Sequence, residues 1–203
     1  MNRTVLILIF TWYSFHLNAQ NEWITFYEQS GGTHTPRYHE TIDYCQKLAE
    51  ASNLVHLTSF GTSPQGRKLP LLIVDRDGLH DPVAIKSTGR LILLIQACIH
   101  PGESEGKDAG MMLVRDLIMR DEGRGTKDEG RGTRDEKLSG IRHLVSDGLL
   151  DHVSILFIPI FNVDGHERFG PYNRINQNGP EEMGWRVTST NLNLNRDYLK
   201  ADA

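Results

Sequence analysis

The feature that most constrains the fold of this chain is the stretch from Leu91 to Arg120, where an apolar run leads through a polar turn into a helical pattern. Residues 91–98 (LILLIQAC) are rich enough in Leu and Ile for a strand that is buried on both faces of a sheet. Residues 107–119 have the spacing of a helix that packs back on that sheet. This order of strand, turn and helix favours an α/β fold with a site beyond the carboxyl end of the strand.

The other apolar patterns extend the same fold. Residues 54–74 contain two apolar runs around the turn GTSPQG, which indicates a hairpin. The remaining predicted elements are helices over residues 36–52 and 138–150 and a second buried strand over residues 153–160. We therefore predict an α/β domain that has a mixed sheet with helices on both faces.

The polar turn after the first buried strand contains His100 and Glu103, which are three residues apart. A neutral imidazole nitrogen and a carboxylate oxygen are both good ligands for Zn²⁺. An H-x-x-E spacing alone is common, but this pair follows a strand, where open α/β sheets place their sites. A zinc ion with one carboxylate and two imidazoles keeps a net positive charge, as a Lewis acid requires. We predict that His100 and Glu103 are zinc ligands.

The same turn also fits a different chemistry. Residues 102–106 (GESEG) match the G-x-S-x-G nucleophile elbow of serine hydrolases, with Ser104 as the nucleophile. Against this interpretation, His100 and Pro101 interrupt the run from strand into elbow, and two glutamates flank the serine. Their negative charge would oppose an oxyanion beside the serine. A serine hydrolase that uses Ser104 stays open as an alternative.

The segment over residues 161–200 is polar, rich in Asn and Gly, and too long for an ordinary connection, so we expect it to be functional. It contains the pairs Trp185-Arg186 and Asn195-Arg196. A guanidinium binds a carboxylate as a planar fork, and Asn adds an amide. Beside a metal ion, such groups could hold the terminal carboxylate of a peptide and stabilise the oxyanion of a tetrahedral intermediate.

With these motifs in this order, the sequence resembles the zinc carboxypeptidases of the M14 (carboxypeptidase A-like) family from about residue 36 to residue 202. The turns over residues 61–67 and 162–165 are similar to further landmarks of that family. The resemblance implies a Zn²⁺ cofactor and the removal of C-terminal residues from peptides or proteins.

The resemblance also implies a role for each candidate residue. His100 and Glu103 match two zinc ligands of the family. Arg186 matches the arginine that helps to polarise the scissile carbonyl and to stabilise the oxyanion. Asn195 and Arg196 match the pair that grips the C-terminal carboxylate of the substrate.

In the family, three further residues follow the Asn-Arg pair: a histidine that is the third zinc ligand, a tyrosine that caps the substrate, and a glutamate that is general base and acid. No residue follows Ala203 in this sequence. We therefore expect a partial domain, truncated at its C-terminal side, that on its own binds zinc weakly and has negligible turnover. Two other functions stay open, namely a zinc-dependent deacylase or amidase on the same scaffold and a non-catalytic exported binding protein.

The N-terminus predicts export. Residues 1–19 have the pattern of a secretory signal peptide, with Arg3, an apolar core over residues 5–12 and a small-residue cleavage site, LNA, at residues 17–19. The apolar core is too short to span a bilayer. We expect a secreted or periplasmic protein that is not stably inserted in a membrane after cleavage, with a peptidase-like domain over residues 20–203.

The composition indicates which classes of partner are excluded and whether disulfides stabilise the fold. The net charge of −4 argues against nucleic acid or an anionic membrane as partner. Cys45 and Cys98 are the two cysteines, and we expect both to be buried thiols. Residues 121–137 repeat the unit DEGRGT and contain no apolar side chain, which predicts a low-complexity insert in a surface loop.

Overall fold

The computed structural model describes residues 23–123 and 148–198. The predicted signal peptide and residues 124–137 of the predicted insert lie outside the described residues. The helices are α1 (Phe26–Gln29), α2 (Tyr38–Ala51), α3 (Pro82–Ser87), α4 (Glu105–Gly123), α5 (Leu149–His152) and α6 (Val163–His166). The strands are β1 (Val55–Thr62), β2 (Lys68–Val74), β3 (Leu91–Gln96) and β4 (Val153–Ile158), and Leu194–Arg196 forms a 3₁₀ turn.

The strands form one mixed sheet in the order β1-β2-β4-β3. Strands β1 and β2 pair as the predicted antiparallel hairpin, and β2 continues antiparallel to β4. Strand β3 runs parallel to β4, with Leu91 opposite Val153 and Gln96 opposite Ile158. The prediction of an α/β fold with a mixed sheet is confirmed.

Helices α2 and α4 pack together and bury the apolar face of the sheet. On α2 the buried residues are Thr41, Cys45 and Leu48, which share one face because helical neighbours are three or four residues apart. On α4 the approach to the sheet requires Gly110, because a Cβ there would lie 2.2 Å from Cζ of Phe157. The core between these elements includes Leu72, Val74, Met111, Val114, Ile118, Ile155 and Phe157.

The prediction that the strand starting at Leu91 is buried on both faces is wrong for this structure. Its residues 91–94 are between 47% and 73% exposed. Within the described part of the chain, β3 pairs with β4 along one edge only, so β3 is an edge strand whose side chains at residues 91–94 remain largely exposed. The same prediction holds for β4, where Ile155, Phe157 and Ile158 are buried.

Both cysteines are free and buried, as predicted. Cys45 is on the face of α2 that is buried in the main core, whereas Cys98 lies in a smaller cluster with Ile160 and Val163. Burial raises the pKa of each thiol to about 12, so both are neutral at physiological pH. Among the described helices, none combines the length and the apolar character needed to cross a bilayer.

Candidate active site

The segments that follow β3 and β4 remain hydrogen-bonded to each other beyond the sheet. The Ala97 amide donates to the Ile158 carbonyl and the Phe161 amide to the Ala97 carbonyl, each at 2.9 Å. Cys98 then turns with φ 54°, a left-handed conformation that is uncommon for a side chain other than Gly and that recurs at functional sites. The result is that the turn containing His100 lies beside the turn that forms α6.

The predicted metal ligands converge at this point. Nδ1 of His100 lies 3.3 Å from each carboxylate oxygen of Glu103. The imidazole is buried, whereas the Glu103 side chain is 46% exposed, so the pair faces solvent from the carboxylate side. The structure therefore brings together the two residues that the sequence predicts as zinc ligands.

The side-chain amide of Asn193 determines which ring nitrogen of His100 carries the proton. Oδ1 of Asn193 lies 3.0 Å from the Asn195 amide, which can only donate, so this atom is the oxygen. The same oxygen lies 2.9 Å from Nε2 of His100, which must carry a proton to make that bond. In the neutral imidazole, Nδ1 then presents its lone pair to the carboxylate of Glu103. Two acceptors that face each other suit a shared cation, so these residues fit a metal ion.

Two guanidinium groups lie on the other side of the Glu103 carboxylate. Nη1 of Arg174 is 2.8 Å from Oε1 of Glu103, and Nη1 of Arg186 is 4.0 Å from the same oxygen. The structure therefore places the predicted Arg186 beside the predicted metal ligands. Arg174 was not predicted from the sequence.

The predicted carboxylate anchor is connected to the metal pair through Asn193. Asn195 and Arg196 lie in the 3₁₀ turn and are exposed. The guanidinium of Arg196 donates to the Asn195 carbonyl at 3.0 Å. The Arg196 side chain is therefore on the surface, near Asn193, and does not contact Glu103.

A buried carboxylate holds this loop in place. Asp164 accepts hydrogen bonds from the Ser63 hydroxyl and the Arg67 guanidinium, each at 2.8 Å. It also accepts from the Gln65 amide and from the Ser189 hydroxyl, each at 3.2 Å. Because Ser189 belongs to the loop that carries both arginine motifs, Asp164 ties the β1–β2 turn, α6 and that loop together.

A second buried network supports the same region. Lys107 is fully buried and donates from Nζ to Nε2 of His166 at 2.9 Å, and Nδ1 of His166 lies 3.0 Å from Oε1 of Glu167. Burial, with the nearby charge of Lys107, lowers the pKa of His166 to about 3. Burial opposes ionisation of Glu167, but hydrogen bonds from His166 and the Tyr38 amide outweigh it and lower its pKa to about 2. Both nitrogens of His166 are thus occupied, and this residue is not available as a third metal ligand.

The alternative nucleophile, Ser104, has no histidine base among the residues that the structure describes. Each ring nitrogen of His100 and His166 has another partner, and no described histidine bonds the Ser104 hydroxyl. The serine instead stands directly before α4, and its backbone carbonyl accepts hydrogen bonds from the Lys107 and Asp108 amides. Across residues 23–123 and 148–198, no group of three or more His, Cys, Asp or Glu side chains could hold a metal.

Comparison with known proteins supports the metal interpretation. The family model for zinc carboxypeptidases, Peptidase M14, matches residues 41–202, which is most of the chain. The chain belongs to this family. A comparison with curated proteins found no match.

Solved structures of carboxypeptidases share the fold. The structure assigned as carboxypeptidase A of Shewanella denitrificans matches with a TM-score of 0.51 and 20% identity, over 80% of this chain and 31% of its own length. The structure assigned as a carboxypeptidase of Burkholderia mallei matches with a TM-score of 0.50 and 20% identity, over 81% of this chain and 32% of its own length. The chain therefore spans about a third of the length of these carboxypeptidase structures.

The pH dependence of stability tests the Lys107–His166–Glu167 network. Because the pKa of His166 falls from 6.5 to about 3 on folding, the unfolded chain binds a proton below pH 6.5 that the folded chain does not bind. The contribution of His166 to the free energy of unfolding is therefore fully present above pH 6.5. It falls by about 2 kcal/mol when the pH is lowered to 5. The raised pKa of Asp108, about 6, acts in the opposite direction and is common to wild type and variant. The excess unfolding free energy of wild type over His166→Gln should therefore shrink by about 2 kcal/mol between pH 7 and pH 5 in urea denaturation.

The matched control for this experiment is His39→Gln, because His39 is an exposed histidine on α2. Its difference from wild type should be the same at both pH values. A constant difference for His166→Gln as well would show that the buried histidine titrates like a free one.

Proposed function

We propose that this chain provides His100 and Glu103 as zinc ligands in an exported peptidase that removes C-terminal residues from peptides and proteins. The observation that carries the proposal is the geometry of His100, Glu103 and Asn193, in which a proton donated to Asn193 leaves an imidazole lone pair facing a carboxylate. This pattern, with the outer nitrogen held by an oxygen, is the usual support for a metal-binding histidine. Family membership supports the choice of zinc.

Bound zinc would act as a Lewis acid and would lower the pKa of a water ligand. The residues of the chain itself have distinct tasks. Asn193 orients His100. Arg186 would donate to an oxyanion that develops beside the metal pair, and its 40% exposure and its distance of 4.0 Å from Glu103 support this role. Asn195 and Arg196 present an amide and a guanidinium on the surface for the terminal carboxylate of a substrate.

Zinc binding by the 203-residue chain tests the metal assignment. His100→Ala should remove measurable zinc binding in a competition titration against a chromophoric chelator. Asn193→Ala should weaken zinc binding by about tenfold, because the imidazole loses its orienting partner. Asn178→Ala is the matched control, since Asn178 is an exposed asparagine of the same segment and should leave the affinity unchanged. Equal affinity for all four proteins would refute the assignment of His100.

Recognition of a terminal carboxylate tests the substrate class. A short peptide with a free C-terminus should bind more tightly than its C-terminal amide, as measured by calorimetry. Arg196→Gln should remove most of this preference, on the order of tenfold, because a charge-assisted bond is lost. Arg168→Gln, a change at an arginine that bonds the Thr188 carbonyl, should keep the preference. If the free acid and the amide bind equally to wild type, a deacylase or a binding protein becomes the better interpretation.

Export is tested by the mature N-terminus. When the chain is produced in a bacterial host with a secretion pathway, mass spectrometry of the exported fraction should find Gln20 as the first residue, because the cleavage site ends at Ala19. Leu8→Arg, which places a charge in the apolar core of the leader, should keep the chain uncleaved. An intact Met1 on exported wild-type protein would contradict the proposed leader.

A further inference from the structure

Arg174 contacts the same carboxylate oxygen that faces His100. Its Nη1 lies 2.8 Å from Oε1 of Glu103, and that oxygen is 3.3 Å from Nδ1 of His100. A guanidinium at this distance makes a charge-assisted hydrogen bond, which is roughly twice as strong as a neutral one. One oxygen of the predicted metal ligand, Oε1, is therefore bonded to a cation that belongs to the chain, while Oε2 lies at the same 3.3 Å from Nδ1 of His100.

The chain is shaped to admit this side chain. Any Cβ at residue 102 would lie 2.4 Å from Cγ and 3.1 Å from Cδ of Arg174, so the arginine needs Gly102. Gln177, three residues further on, donates from Nε2 to the Gly102 carbonyl at 2.9 Å. The Arg174 side chain is 17% exposed, compared with 40% for Arg186. Arg174 is therefore packed closely against the turn that carries Glu103.

A metal ion and the Arg174 guanidinium are both cations, and they would compete for the negative charge of the Glu103 carboxylate. We propose that Arg174 is a positioning residue that holds the Glu103 carboxylate when no metal is present and thereby lowers the affinity of the site for zinc. This inference rests on the proposed function, because it takes His100 and Glu103 as the metal ligands. It adds a residue that sets how tightly the metal is held.

The distances assign this role to Arg174 rather than to Arg186. At 4.0 Å from Oε1, Arg186 is beyond hydrogen-bond distance, and its greater exposure weakens its attraction to the carboxylate. Removing Arg174 frees a ligand oxygen and also removes a positive charge beside the dication. Both effects favour metal binding.

The test is the zinc affinity of the full chain, measured by competition with a chromophoric chelator. Arg174→Gln should bind zinc about tenfold more tightly than wild type, because the metal no longer has to break a charge-assisted hydrogen bond to Glu103. Arg174→Lys keeps the cation and should remain closer to wild type. Arg76→Gln is the matched control, because Arg76 pairs with Asp151 at the opposite end of the sheet and should not change the affinity.

A second variant tests the same contact without changing the charge. Gly102→Ala places a Cβ 2.4 Å from Cγ of Arg174 and should force the guanidinium away from Glu103. It should tighten zinc binding in the wild-type background and have no further effect in the Arg174→Ala background. Such coupling is expected of two residues that act through one contact. General damage to the fold would weaken zinc binding, which is the opposite direction.

The outcomes separate this inference from the proposed function. If His100→Ala abolishes zinc binding while Arg174→Gln binds zinc no more tightly than wild type, the role of Arg174 is wrong and the metal site stands. If His100→Ala leaves zinc binding intact, the metal assignment fails and the inference fails with it. Tighter binding in both Arg174→Gln and Gly102→Ala would support the inference, and circular dichroism on each variant would show whether it is folded.

Discussion

The carboxylate of Asp164 is the contact on which the site depends. It is almost completely buried and ionic, and such a group is stable only when it is fully hydrogen-bonded. The Arg67 guanidinium and the hydroxyls of Ser63 and Ser189 meet that need. In consequence, the β1–β2 turn, α6 and the arginine-bearing loop cannot separate without exposing an uncompensated charge. The Trp185 amide, which donates to the Gly165 carbonyl at 2.7 Å, adds a backbone tie between α6 and that loop.

The polar groups around Glu103 act in opposite directions on a metal. Asn193 prepares the site, since it fixes the proton of His100 on the outer nitrogen. Arg174 and Arg186 place positive charge against the carboxylate that a dication needs. In the proposed metal site, the balance between an orienting amide and a competing guanidinium would therefore determine how tightly a metal is held. The Lys107–His166–Glu167 network lies behind this arrangement and contributes rigidity rather than ligands.

The sequence was most informative where one local pattern decides the structure. The hairpin, α2, α4 and β4 follow from apolar spacing, and the mixed α/β fold follows from their order. The convergence of His100 with Glu103 was also predictable, because both residues lie in one short turn after a strand. The exposure of residues 91–94 was not predictable, because an apolar run does not show how many neighbours its strand has.

The two missed residues show a different limit. Asn193 could have been found, since it stands two residues before Asn195 in the alternating run LNLNR, where an amide can reach back over the turn. Arg174 gave no such signal, because it lies in an irregular segment and meets Glu103 only through the tertiary fold. The roles of Arg186, Asn195 and Arg196 remain predictions, although the structure places Arg186 beside Glu103.

The absence of a side chain at residue 102 has a consequence for how such chains can diverge. A Cβ at this position would lie 2.4 Å from Cγ of Arg174, so residue 102 can become larger only if the arginine moves, whereas the arginine can change while residue 102 stays glycine. A lineage that acquires a larger residue at 102 must first lose or redirect the arginine, and it then has a metal site without this internal competitor. Where an arginine at 174 is kept, residue 102 should accordingly be glycine, and under the proposed role of Arg174 such chains would bind a metal only by displacing a residue of the protein itself.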